Sequence, residues 1–173
     1  MKQLLFLPAI LAFLFSLSVS AQEQELKTGD KAPDIRLPTT AGDTVTLSSL
    51  SGKIVLVDFW ATWCAPCITE QPELAALYKK FRNTSFQAGT GFEIYGVSLD
   101  NKKESWQEIV NKLKIDWIQV SDLKFWASPV AATYAIPELP YNVLIDGKGM
   151  VLAVNLHGAE LEKFLTLIAV SKE

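Results

Sequence analysis

Both cysteines of the 173-residue chain fall within the run Trp63-Cys64-Ala65-Pro66-Cys67. At the start of a helix, three-residue spacing puts two side chains on one side of the first turn, within reach of a disulfide. Cys64 would stand where unpaired backbone N–H groups and the positive helix end stabilise a thiolate. Cys67 lies one turn in and is expected to be more buried. That asymmetry describes a dithiol–disulfide couple, in which Cys64 attacks a partner disulfide and Cys67 resolves the mixed disulfide. An inert structural disulfide here would close a very small loop and restrict little unfolded-chain entropy. A haem attachment site needs His directly after the second Cys, where Ile68 stands. Two cysteines and one histidine, His157, fall short of a closed four-ligand zinc site. The net charge of −3 argues against broad nucleic-acid binding, which needs an excess of Lys and Arg.

The flanking pattern supplies the elements that must hold this pair. Residues 54–60 (IVLVDFW) are almost continuously apolar, as in a strand buried on both faces of a central sheet. From Ala65 to Phe81 the period becomes helical, with Leu74, Leu77, Tyr78 and Phe81 on one face. Pro66 suits the first turn, where its missing N–H is harmless, and Pro72 is expected to kink the helix. Residues 35–37 and 44–47 suggest an N-terminal hairpin around Ala41-Gly42-Asp43. Residues 83–91, including Asn83-Thr84-Ser85, read as a polar loop. Further strands are expected at 92–99 and 115–120, and helices at 103–113 and 125–135. Residues 141–146 and 150–155 form a hairpin around Gly147-Lys148-Gly149. A closing helix over 159–170 carries Leu161, Phe164, Leu165 and Ile168 at helical spacing. This alternation implies one α/β domain with helices on both faces of the sheet.

Two carboxylates fall near the cysteines. Asp58 interrupts the apolar strand and shares a face with Ile54, Leu56 and Trp60 by the period-two rule. A buried carboxylate without a partner tends to raise its pKa and take a proton. Glu70 follows Cys67 by three residues, one helical turn on. Trp60 and Trp63 flank the motif and suit packing or a substrate shelf. His157 reads as a loop histidine, and the charges over 100–108 as a solvated helix start.

Residues 1–21 (MKQLLFLPAILAFLFSLSVSA) have the layout of a cleavable export signal. Lys2 precedes an apolar stretch from Leu4 to about Leu17, and Val19 and Ala21 occupy the −3 and −1 positions. The apolar stretch is shorter than the ~20 residues that span a bilayer, and acidic, polar residues follow it. Cleavage would leave residues 22–173 as a domain with no retained membrane anchor, located in the periplasm or otherwise outside the cytoplasm.

VDFWATWCAPC (57–67) looks like the active-site segment of the thioredoxin fold. The wider frame resembles the TlpA/ResA-like branch of thiol–disulfide oxidoreductases within the AhpC/TSA–redoxin superfamily. It is carried by GDKAPDIRL (29–37), GKIVLVDFWATWC (52–64), PCITEQPEL (66–74), GVSLD (96–100), LPYNVLID (139–146) and NLHG (155–158). The resemblance implies a thioredoxin-like fold: a central mixed β-sheet flanked by helices, with the N-terminal hairpin as an extension. It implies that Pro140 is held cis beside the cysteine pair and that Leu139 before it pairs with an extended substrate segment. It makes Asp58 the proton acceptor for Cys67, Glu70 a modulator of the thiols, and Trp63, Ala65 and Pro66 substrate contacts. The substrates would be protein thiols and disulfides, met by a monomer without organic cofactor or metal. A reductase in an oxidising compartment would need a membrane electron donor of thiol–disulfide type, and apocytochrome c reduction is one such role. Two other classes share the fold. A Sco-type copper-binding factor would use Cys64, Cys67 and His157, but that type spaces its cysteines one residue further apart. A peroxiredoxin-like peroxidase would need a lone peroxidatic Cys flanked by Pro and Thr, which is absent.

Overall fold

The apolar run of residues 54–60 does become the middle of a sheet. In the computed structural model, which describes residues 25–170, strand β3 (Ile54–Trp60) is buried along its whole length. The N-terminal hairpin precedes it, with β1 (Arg36–Pro38) antiparallel to β2 (Thr44–Thr46). Helix α1 (Ala65–Phe81) follows β3 and runs unbroken through Pro72. Next come β4 (Ser85–Phe86), β5 (Gly89–Thr90), β6 (Phe92–Ser98), α2 (Lys103–Lys112) and β7 (Ile118–Val120). A short helix α3 (Pro129–Thr133), the strands β8 (Tyr141–Ile145) and β9 (Val151–Val154), and helix α4 (Gly158–Ile168) complete the chain. The expected export signal lies outside the described residues.

The five-stranded sheet runs β7-β6-β3-β8-β9. Strand β3 pairs parallel with β6 and antiparallel with β8, so the sheet is mixed and β3 is central. Two neighbours and two covered faces explain why its sequence carries no simple polar alternation. Ile54, Leu56 and Trp60 face one core layer, with Leu74, Leu77 and Phe81 of α1, Trp106 and Val110 of α2, and Leu161 and Leu165 of α4. Val55, Val57 and Phe59 face the other, with Ile35, Leu37, Leu47, Ala131 and Tyr134. Each such side chain contributes about 1.5–3 kcal/mol by leaving water. Tyrosines tie the hairpin extension to the second layer: Tyr134 Oη donates to the Pro33 carbonyl at 2.6 Å and Tyr95 Oη to that of Val45 at 2.9 Å.

Three local expectations are corrected. Residues 83–91 hold a two-residue hairpin, β4–β5, which turns Phe86 onto Phe81 with ring centroids 6.3 Å apart. Strands this short carry no periodicity to read, and Gly89 sits where a Cβ would come a tight 3.1 Å from the Gly52 carbonyl oxygen. The extended run at 115–120 shrinks to β7. The helix expected over 125–135 splits into a 3₁₀ turn, Phe125–Ala127, and α3. Pro129 disfavours helical geometry at the residue before it, and Ser128 is extended at φ −61°, ψ 125°. Leu123 and Phe125 also take left-handed backbone, at φ 57° and 56°.

Candidate active site

The cysteine pair sits at the C-terminal end of β3, at the first turn of α1. Cys64 is the N-cap residue and Pro66 lies in the first turn. The two cysteines form a disulfide with a Cα–Cα separation of 5.3 Å. Cys64 Sγ accepts the backbone N–H of Cys67 at 3.2 Å, so a sulfur fills the place of the usual capping oxygen. The sulfur therefore lies on the partial positive charge of the helix start, the setting that lowers a thiol pKa when the disulfide is opened. Cys64 is 6% exposed and Cys67 1% exposed, in the expected order.

The loop before Cys64 is pinned from below. Asp100, 3% exposed, accepts the Thr62 backbone N–H at 3.1 Å, the Thr62 hydroxyl at 2.6 Å and the Ser98 hydroxyl at 2.7 Å. The expectation of a solvated helix start is wrong for this residue. Asp100 precedes the helix, at the end of β6, and sheet pairing brings it under the motif. The two tryptophans also part company. Trp60 is fully buried and its Nε1 donates to Gln119 Oε1 at 2.8 Å. Trp63 is 46% exposed and meets Phe125 and Trp126, both also exposed, at centroid distances of 5.0 and 6.4 Å. Phe125 and Trp126 were not singled out in the sequence, because nothing local relates them to residue 63.

Leu139–Pro140 is cis, and both residues are partly buried. Pro140 lines a surface groove with Ala65, Pro66, Thr69, Glu70 and His157. The groove thus brings the expected clamp proline, the dipeptide between the cysteines and the α1 acid onto one surface.

Behind α1 lies a line of polar side chains. Asp58 is 1% exposed on the α1 face of β3, between Gly96 of β6 and Asn142 of β8. Burial is the main cause that raises its pKa from 3.8 to about 7, and the Glu70 charge adds to it. His157 and the Gln71 amide pull in the opposite direction. Asp58 Oδ2 and Gln71 Oε1 are both buried without a hydrogen-bond partner among the described residues. Glu70 is buried, and its Oε1 lies 2.7 Å from His157 Nδ1. The hydrogen bond to Glu70 raises the His157 pKa more than burial lowers it. His157 does lie in a loop, as expected, but at the N-cap position of α4, where its ring meets Glu70 of α1. Asn-Leu-His-Gly offered no local signal, since its partner lies 87 residues earlier.

A dithiol pair that opens and closes at a helix start is a centre for thiol–disulfide exchange, and similar proteins agree. The thiol-disulfide oxidoreductase ResA of Bacillus subtilis (strain 168) is 31% identical over 151 residues, covering 87% of this chain and 79% of ResA. The ResA of Oceanobacillus iheyensis is also 31% identical, covering 96% of this chain and 85% of its own. The thioredoxin domain of a thiol-disulfide oxidoreductase from Bacteroides vulgatus superposes with a TM-score of 0.73 at 36% identity, covering 82% of this chain and 99% of that domain. A thiol:disulfide interchange protein from a Bacteroides species gives 0.73 at 35% identity, covering 83% of this chain and 91% of its own. The AhpC/TSA family profile matches residues 28–154. The disulfide at a helix start and the sequence shared with these proteins lead to one conclusion: the chain belongs to the AhpC/TSA family, as a thiol–disulfide oxidoreductase of thioredoxin-like fold.

Proposed function

We propose that this oxidoreductase is an exported reductase of disulfides in extracytoplasmic proteins. The observation that carries the chemistry is the Cys64–Cys67 disulfide with Cys64 Sγ as the N-cap of α1. In the reduced protein the Cys64 thiolate attacks a substrate disulfide. One substrate sulfur bonds to Cys64 Sγ while the other leaves as a thiolate. Asp58 takes the proton of Cys67, whose thiolate then attacks Cys64 Sγ. This forms the disulfide seen here, releases the second substrate thiol, and leaves two electrons with the substrate. Glu70 modulates the thiols through its charge. A membrane protein of thiol–disulfide type would restore the dithiol, because an oxidising compartment offers no other source of electrons.

Residues 1–21 support export, and 22–173 would then act as one domain, as a monomer. Among the described residues no helix is long and apolar enough to cross a membrane. The reducing direction and a role like apocytochrome c reduction rest on the TlpA/ResA-like motifs of the sequence. The direction is tested by equilibrating the pair with redox buffers. A potential near thioredoxin's, about −270 mV, with reduction of insulin disulfides, is expected; one near about −120 mV would make the protein an oxidant.

The substrate surface in this reading is Trp63, Ala65, Pro66, Leu139 and Pro140, to which we add Phe125 and Trp126 because their rings lie against Trp63. Three exposed aromatic rings in mutual contact offer an apolar shelf beside the nucleophile. The loop that presents them is well anchored, since Asp122 accepts the Lys124 N–H at 3.2 Å and the Ser128 hydroxyl at 2.9 Å. Phe125→Ser with Trp126→Ser is expected to raise KM for a protein disulfide about tenfold or more. Reduction of a small disulfide such as oxidised glutathione should be unaffected. Equal losses on both substrates would remove the shelf from the reading.

A further inference from the structure

His157 enters neither the disulfide exchange nor the binding surface just described, yet its ring is held from both sides. Nδ1 lies 2.7 Å from Glu70 Oε1 and Nε2 lies 2.9 Å from Asn155 Oδ1. A ring that donates from both nitrogens satisfies the Glu70 carboxylate and the Asn155 amide oxygen together. The Asn142 Nδ2 lies farther off, at 3.5 Å from Nδ1, and the Glu70 hydrogen bond favours this imidazolium form. Glu70 is therefore paired with a cation that the α4 cap delivers across the groove. We propose that His157 is a positioning residue for the exchange reaction: its imidazolium clamps the Glu70 carboxylate to α1 and screens buried Asp58 from that negative charge.

The surrounding elements make the pair consequential. Toward Asp58, α1 presents Glu70 and the neutral Gln71, the α4 cap presents His157, β8 presents the neutral Asn142, and β6 presents Gly96. Among the described residues, the charges that act on this carboxyl are thus the cation of His157 and the anion of Glu70. His157 itself faces Glu70, Asp58 and Glu160, while Glu73 of α1 approaches the neighbouring Gly158. Asn142 braces the segment that carries His157, donating from Nδ2 to the Leu156 carbonyl at 2.7 Å and accepting the Leu156 N–H at 3.1 Å. The same residue pairs with Asp58 across β3 and β8, so acid and cation are referred to one strand position. Without the cation, Glu70 would act on Asp58 at full strength, and the proton acceptor of Cys67 would hold its proton to higher pH.

This role rests on Asp58 serving Cys67, yet it is measurable without turnover. The Asp58 side-chain carboxyl can be followed by NMR against pH in the oxidised protein. His157→Gln is expected to raise the midpoint by about one pH unit, and Glu70→Gln to lower it. The double variant should lie between the two singles, and His157→Lys, which keeps the cation, should stay near wild type. An unchanged or lowered midpoint in His157→Gln would overturn the proposal, as would a His157→Lys midpoint equal to that of His157→Gln. Absence of disulfide reductase activity in the wild type would instead remove the functional reading and leave this coupling standing.

Discussion

Cys64→Ser is expected to abolish disulfide reduction, by at least about a thousandfold, while Cys67→Ser arrests the reaction one step later. Cys64 Sγ is the sulfur at the N-cap of α1, where a thiolate would be stabilised and from which, in the proposed reaction, attack on a substrate begins. A serine hydroxyl can take over the cap hydrogen bond, so the helix and fold should persist while the nucleophile is lost. Cys67→Ser leaves the nucleophile in place and removes the sulfur that releases it. The expected product is a stable mixed disulfide between Cys64 and a substrate cysteine, visible by mass and reversed by an added thiol. Insulin reduction with each variant, together with trapping in the second, checks both halves. Activity surviving in Cys64→Ser would end the assignment.

Asp58→Asn is expected to slow resolution about a hundredfold near pH 7–8 and, at the same time, to stabilise the protein at alkaline pH. The kinetic half follows from a buried acid whose pKa lies at about 7, close to working pH, where it can accept and return a proton. The stability half follows from the same burial. Because the folded pKa lies above the ordinary 3.8, the folded state binds the proton more tightly than the unfolded chain. Stability from this group is full below about pH 4 and falls as pH rises through about 7. By pH 8 and above, ionising Asp58 inside the sheet costs up to about 4 kcal/mol. The amide introduced by Asp58→Asn carries no charge and can donate to Gln71 Oε1, which lacks a partner. Stage-resolved kinetics across pH should therefore flatten, and denaturant unfolding at pH 8–9 should show a higher midpoint than wild type. A kinetic profile identical to wild type would remove Asp58 from the proton path; a lower unfolding midpoint would contradict its buried ionisation.

Slower chemistry paired with higher stability in Asp58→Asn would explain why a carboxylate interrupts the apolar run of β3. A Leu or Val at that position would pack between Leu56 and Trp60 at no electrostatic cost. In the proposed reading the buried acid costs stability at alkaline pH and serves Cys67 as proton acceptor, a trade common at functional sites.

Much of this molecule was legible before folding was considered, because its main signals are local. Residues 54–60 are apolar at every position but Asp58, since β3 has two strand neighbours and two covered faces. Helix α1 shows its apolar face at Leu74, Leu77, Tyr78 and Phe81 and begins at the cysteine pair. Cys64, Cys67 and Glu70 share one helix, so chain spacing alone relates them. Asp58 was readable because a charge inside a buried strand contradicts its surroundings. Where the local pattern was short or interrupted, the reading failed: β4–β5 has two-residue strands, and Pro129 divides the segment taken as one helix.

What tertiary structure alone decided are the pairs joined across long stretches of chain. Asp100 reaches Thr62 because β6 lies beside β3, and it fixes the loop that presents Cys64. Phe125 and Trp126 meet Trp63 because a loop with left-handed residues turns them outward. His157 reaches Glu70 because α4 starts where Asn142 of β8 braces the preceding segment. The sequence by itself determined the redox couple, whose two thiols need only one helical turn between them. The surroundings that set the proton affinities of Asp58 and His157 came from sheet order and helix packing, because charges act through space and no spacing rule records which distant residues will become neighbours.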